Sequence, residues 1–167
     1  MNKVSHSVTQ TSAPSRKDLE QLVACYESQQ YAQASDLAKA IITRHPKHHF
    51  TWKILGSALS KEGKVGEALA ATKKAIQIAP DDADSHFNLG NLLFKLSQFR
   101  EAEVSQLRAI ELNQDDLQAY SSLAKTLIRL EKLDEAEKYL RLALQKDPST
   151  INNYFSLSDV LRKKREF

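Results

Sequence analysis

The chain has 167 residues and a formal net charge of +3, room for one domain or one short repeat array. Four glycines and four prolines are too few for a barrel or sandwich with many tight turns, while the good helix formers Ala, Leu, Lys, Glu and Gln abound. The mild charge calls for no nucleic-acid partner. A single cysteine, Cys25, excludes an intrachain disulfide and reads as a small core residue. The opening MNKVSHSVTQ has no apolar run of signal-peptide length, and no stretch approaches the roughly 20 apolar residues of a membrane span. A cytoplasmic protein with no membrane partner is expected.

Residues 1–14 are polar, lack helical periodicity and contain Pro14; a flexible arm is expected there. Ser15, with Asp18 after it, resembles a capping box for a first helix. From that point apolar periodicity predicts helices at about 15–29, 31–45, 49–62, 65–79, 83–96, 99–113, 117–130, 133–146 and 151–165. Asp82, Asp116 and Thr150 stand at N-cap positions, and Pro46, Pro80 and Pro148 follow helix ends.

One spacing organises these elements. Tyr31, Val65, Phe99, Leu133 and Phe167 lie 34 positions apart, and all are apolar. Ala34, Ala68, Ala102 and Ala136 keep the step, as do Ile41, Ala75, Ala109 and Ala143. The prolines keep it too, with Gln114 where a further one is due. Such a step marks a repeat array, here over residues 15–167, with repeats at about 15–48, 49–82, 83–116 and 117–150 and a half repeat at 151–167. Trp52, Leu55 and Leu59 form one apolar helical stripe. Gly56 interrupts it at a cost of about 1 kcal/mol in helix propensity, which reads as a site of close helix approach faced by Ala68 and Ala75.

Trp52, Leu55, Gly56, Leu59, Ala68, Ala75 and Pro80, with their counterparts one step on, resemble the tetratricopeptide-repeat family. The resemblance implies an all-α solenoid, a right-handed superhelix of antiparallel helix pairs, with four full repeats plus one extra helix. It implies a non-catalytic scaffold whose first helices line a concave groove that holds a protein or extended peptide. Asn88-Leu89-Gly90-Asn91, and the opening from Leu22 to Pro46 followed by Trp52-Lys53-Ile54-Leu55-Gly56, also resemble the N-terminal repeats of bacterial proteins carrying an O-linked N-acetylglucosamine transferase-like or sulfotransferase domain. The alternative is therefore a substrate-recruiting, non-catalytic arm of a larger transferase.

The resemblance places Lys53, Lys61, Phe87, Asn88, Asn91, Phe94, Lys95, Lys125, Arg129 and Lys163 on the concave face. Lys61, Lys95, Arg129 and Lys163 form a cationic ladder at the repeat step, suited to an acidic ligand. The same cations sit in the last turns of their helices, where the helix dipole favours them. His45, His48 and His49 straddle Pro46 without a completing Cys or carboxylate set, so they read as turn residues, not metal ligands. Asp82-Ala83-Asp84 is like a short acidic metal motif, but Asp115-Asp116 fills the equivalent turn, so a capping role is expected. No phosphate-cradling glycine loop, His-Glu-x-x-His, nucleophile elbow or paired-cysteine motif occurs; no catalytic residue, metal or cofactor is expected. Phe167 stands where a second helix should open, so a longer parent chain is expected, with Tyr154 and Leu161 exposed and available for self-association.

Overall fold

The structure, a computed structural model, describes residues 13–165. Residues 1–12 of the expected arm, and Phe167, lie outside them; Pro14 is buried. The described residues form nine helices and no strand: α1 (Arg16–Glu27), α2 (Tyr31–Arg44), α3 (His49–Lys61), α4 (Val65–Ile78), α5 (Ala83–Lys95), α6 (Phe99–Leu112), α7 (Leu117–Arg129), α8 (Leu133–Lys146) and α9 (Ile151–Arg165).

Local chemistry sets the helix ends. Ser15 Oγ accepts from Asp18 N at 3.1 Å, Asp82 Oδ2 from Ser85 N at 2.8 Å, and Asp116 Oδ1 from Gln118 N at 3.0 Å. Thr150 behaves differently from its counterparts. Its hydroxyl donates to Asp147 Oδ2 at 2.9 Å and so braces the turn behind it. Within each pair the chain reverses through a residue of positive φ: Gln29 (60°), Gly63 (81°), Ser97 (60°) and Glu131 (60°). Each reversal is closed by a bond back into the helix, such as Gln98 N to Leu93 O at 2.9 Å and Lys132 N to Leu127 O at 3.0 Å. A left-handed conformation costs a non-glycine residue roughly 1–2 kcal/mol, so only Gly63 is free of that strain.

The turns between pairs are latched by the helix that follows. Trp52 Nε1 donates to Pro46 O at 2.8 Å, His86 Nε2 to Pro80 O at 2.8 Å, and Tyr120 Oη to Gln114 O at 3.1 Å. What the latch uses is a backbone carbonyl, so Gln114 substitutes for proline without loss of the bond.

Each helix packs on the next in sequence. The backbones of successive first helices (α1, α3, α5, α7, α9) also come close to one another, whereas successive second helices meet only through long side chains such as Lys39 and Glu67. The stack therefore closes on the first-helix side and curves toward it. Leu22, Ile41, Leu59 and Ala68 are buried in one half of the core, and Leu123, Leu127, Leu140 and Val160 in the other. Burial of such side chains stabilises by about 1.5–3 kcal/mol each for the large aliphatics. Gly56 is a close-approach site as expected, but with one different partner. A Cβ there would lie 2.5 Å from Thr72 Oγ1, 3.3 Å from Thr72 N and 3.4 Å from Ala68 O. Thr72, not Ala75, is the facing residue beside Ala68, since the two atoms nearest such a Cβ both belong to it. Gly90 repeats the arrangement: a Cβ there would lie 2.5 Å from Gln106 Cγ and 3.3 Å from Ala102 O.

Candidate functional site

The curvature makes a groove of about 1100 Å³ along α3, α5 and α7. Seven of the ten residues placed on the concave face from sequence line it: Lys61, Phe87, Asn88, Asn91, Phe94, Lys95 and Lys125. Asn88 Nδ2 donates to Ser57 Oγ at 3.2 Å and Lys95 Nζ to Ser60 Oγ at 3.1 Å. Phe94 meets the edge of Phe99 with ring centroids 5.4 Å apart, which fixes its orientation at the groove wall. None of the three lysines has a carboxylate partner among the described residues, and Lys61 and Lys125 make no side-chain hydrogen bond there either. The one carboxylate in the lining, Asp147, is occupied by Ser149 and Thr150; those hydrogen bonds hold it below the ordinary carboxylate range.

The other three residues are not part of this lining, and each has its own partner. Arg129 stacks on Phe99, its guanidinium carbon 4.5 Å from the ring centroid. Lys163 lies 3.6 Å from Asp159. Lys53 Nζ reaches Asp82 Oδ1 at 3.1 Å and Asp84 Oδ2 at 2.9 Å, tying α3 to the start of α5. The acidic Asp82-Ala83-Asp84 run thus serves as a helix cap and an ion pair.

Burial alone would lower the Lys53 ammonium, but its hydrogen bonds to Asp84 and Asp82 outweigh this and raise it. Burial would raise Asp82, yet hydrogen bonds from Ser85 and Lys53 bring it below the ordinary carboxylate value. A carboxylate depressed in the folded state contributes stability above its unfolded pKa, and that contribution is lost as pH falls toward the folded value. Asn is as good a cap as Asp. Asp82→Asn therefore keeps the cap and loses the ion pair, costing about 1 kcal/mol at neutral pH. In urea titrations run at descending pH, the gap between wild type and variant should close through the carboxylate range. Parallel stability curves would refute the pairing.

His48 Nδ1 lies 2.7 Å from Thr51 Oγ1, and His49 Nε2 lies 3.3 Å from Asp82 Oδ2, off the hydrogen-bond direction. Burial, then the neighbouring His45 and His49 charges, lower His48. The imidazoles are half-buried parts of the α2–α3 turn. Among the described residues no group of three or more His, Cys, Asp or Glu could hold a metal ion. No described helix is long and apolar enough to cross a membrane.

Sequence reasoning missed several lining residues, among them Tyr26 and Gln106. Tyr26 holds the repeat position of Phe94 and packs edge-on to Tyr31, with centroids 5.5 Å apart, as Phe94 does to Phe99. That step-related aromatic pair was the available signal. Gln106 belongs to a second helix and reaches the groove beneath Gly90.

Two family models match the chain, one described as TPR repeat over residues 56–97, the other as tetratricopeptide repeat over residues 87–150. No curated protein matches it. Among solved structures, MamA (residues 41 to the end) from Desulfovibrio magneticus RS-1 is 18% identical, with TM-score 0.83 over 90% of this chain and 85% of that one. YrrB, a TPR protein with an unusual peptide-binding site, is 18% identical, with TM-score 0.80 over 95% of this chain and 80% of that one. The first TPR of Spaghetti (RPAP3), bound to the HSP90 peptide SRMEEVD, is 26% identical, with TM-score 0.68 over 70% of this chain and 93% of that one. These likenesses establish the all-helical solenoid of antiparallel pairs.

Proposed function

The chain belongs to the tetratricopeptide-repeat family, and from that premise we propose that it is a non-catalytic scaffold whose groove holds an extended, acidic segment of another protein. The observation that carries this reading is the set of three lysines, Lys61, Lys95 and Lys125, facing one groove without carboxylate partners among the described residues. Elsewhere most cations are matched within the chain, as Lys53, Arg108, Lys132 and Lys164 are. Phe87 and Phe94 add apolar contact between the charges, and Asn91, half-buried and without a hydrogen bond of its own among the described residues, offers a carboxamide to a ligand backbone. Support from a relative is limited to one case: the 26% identical Spaghetti (RPAP3) repeat holds SRMEEVD, a peptide rich in carboxylates. Fluorescence anisotropy with short synthetic Glu- and Asp-rich peptides tests the proposal. Binding should occur at low salt and weaken as ionic strength rises; no binding by any such peptide overturns it.

A second contact belongs to the same reading. Ile151, Tyr154 and Phe155 on α9 are 67%, 50% and 71% exposed, one apolar cluster at the end of the stack. Leu161, expected to be exposed with Tyr154, is half-buried, and Lys164 ties that end of α9 to Glu137 on α8 at 2.8 Å. We infer self-association of two copies through the exposed cluster. Light scattering should give a mass above the monomer for wild type and the monomer mass for Tyr154→Lys/Phe155→Lys; a strictly monomeric wild type excludes it.

A further inference from the structure

Gln106 stands out among the buried side chains. It is 1% exposed, its Oε1 has no hydrogen-bond partner, and its carboxamide makes no bond to any described residue. It projects from α6, a second helix, yet lines the groove. It reaches that surface because Gly90 on α5 lacks a side chain: a Cβ there would stand 2.5 Å from Gln106 Cγ and 3.3 Å from Cδ. Packing does not demand a polar residue at this point. The same repeat position is Ala38 in the first repeat, Thr72 in the second and Leu140 in the fourth, all buried, so an apolar side chain fills it in two of the other three repeats. A buried acceptor left without a partner costs stability that an apolar side chain of the same length would not.

A carboxamide both accepts and donates, so it matches one peptide unit of an extended chain. The last bond of a glutamine side chain turns easily, so either end of the amide can be presented to the groove. We infer that Gln106 is a ligand-positioning residue that hydrogen-bonds a single backbone amide of an extended peptide through the gap at Gly90. The inference rests on the groove reading above and adds the point at which the ligand backbone is held. Flanking Lys95 and Lys125 would then engage carboxylates on either side of the held unit.

Gln106→Met keeps length and removes the amide. With a synthetic Glu- and Asp-rich peptide that binds wild type, the variant should bind about tenfold more weakly while melting at an equal or higher temperature. A residue with a merely structural role would move the melting temperature and leave affinity alone. Single N-methylation along the peptide supplies the second readout. Methylation of one backbone amide should cost wild type about tenfold and cost Gln106→Met nothing further. Should the methionine variant fail to fold, Gln106→Leu, matching Leu140, replaces it. Undiminished binding by the variant, or a methylation effect that persists in it, overturns this inference and leaves the groove reading standing. A wild type that binds none of the peptides overturns both.

Discussion

Gly56→Leu should destabilise the array by about 1–3 kcal/mol. Two effects of opposite sign compete. Leucine favours helix over glycine by nearly 1 kcal/mol, which alone would stabilise α3. Against this, the first added carbon already lies 2.5 Å from Thr72 Oγ1, and backbone atoms Thr72 N and Ala68 O stand just behind it at 3.3 and 3.4 Å. A side chain could rotate away; the backbone of α4 cannot move without parting the two helices. Overpacking therefore wins. Ala102→Leu meets the same obstacle, since Ala102 is fully buried and its carbonyl bounds the gap at Gly90. Because each repeat is stabilised by its neighbours, the loss should spread beyond the mutated pair. Thermal and urea melts report it, and near-wild-type melting of both variants would show that the close contacts are absent.

Reversing the three groove lysines is the largest expected change in binding. Each reversal removes an attraction and adds a repulsion, about 1 kcal/mol per site at an exposed position. Lys61→Glu/Lys95→Glu/Lys125→Glu should thus weaken an acidic peptide by about a hundredfold, or ~3 kcal/mol. Arg129→Glu is the control: Arg129 is occupied on the Phe99 ring and lies outside the groove lining. An equal loss per reversed charge in the control would mean that overall charge, not the groove, attracts the peptide. If the triple variant binds as wild type does, the three lysines are not what attracts the peptide.

The fold was legible because its signals repeat. A helix boundary that is ambiguous once becomes firm when the same Ala or Pro recurs one step later, and the observed ends of Leu133–Lys146 coincide with the expected ones. The groove was legible in part, since the register of α5 places Phe87, Asn91 and Phe94 on one side. What was not legible depends on side-chain choices between near-equivalent partners. Arg129 follows the cation step but finds an aromatic ring, and Lys53 finds two carboxylates supplied by the next turn. Gln106 was hidden because second helices are expected behind the wall; only its pairing with Gly90, as Thr72 pairs with Gly56, reveals the opening.

The contrast between the two layers has a mechanical consequence. The inner layer is a continuous row of touching helices, so it resists shortening as a packed solid does. The outer layer has no such row; across it run side-chain ties such as Lys39 to Glu67 at 3.8 Å and Lys132 to Glu103 at 2.6 Å. Ties of that kind are partly exposed and screened by salt. The molecule is therefore a bent rod with a stiff inner edge and a compliant outer one. Its easiest deformation is a change of pitch that lengthens or shortens the outer edge, while Lys61, Lys95 and Lys125 on the inner edge keep their spacing and no helix has to unwind.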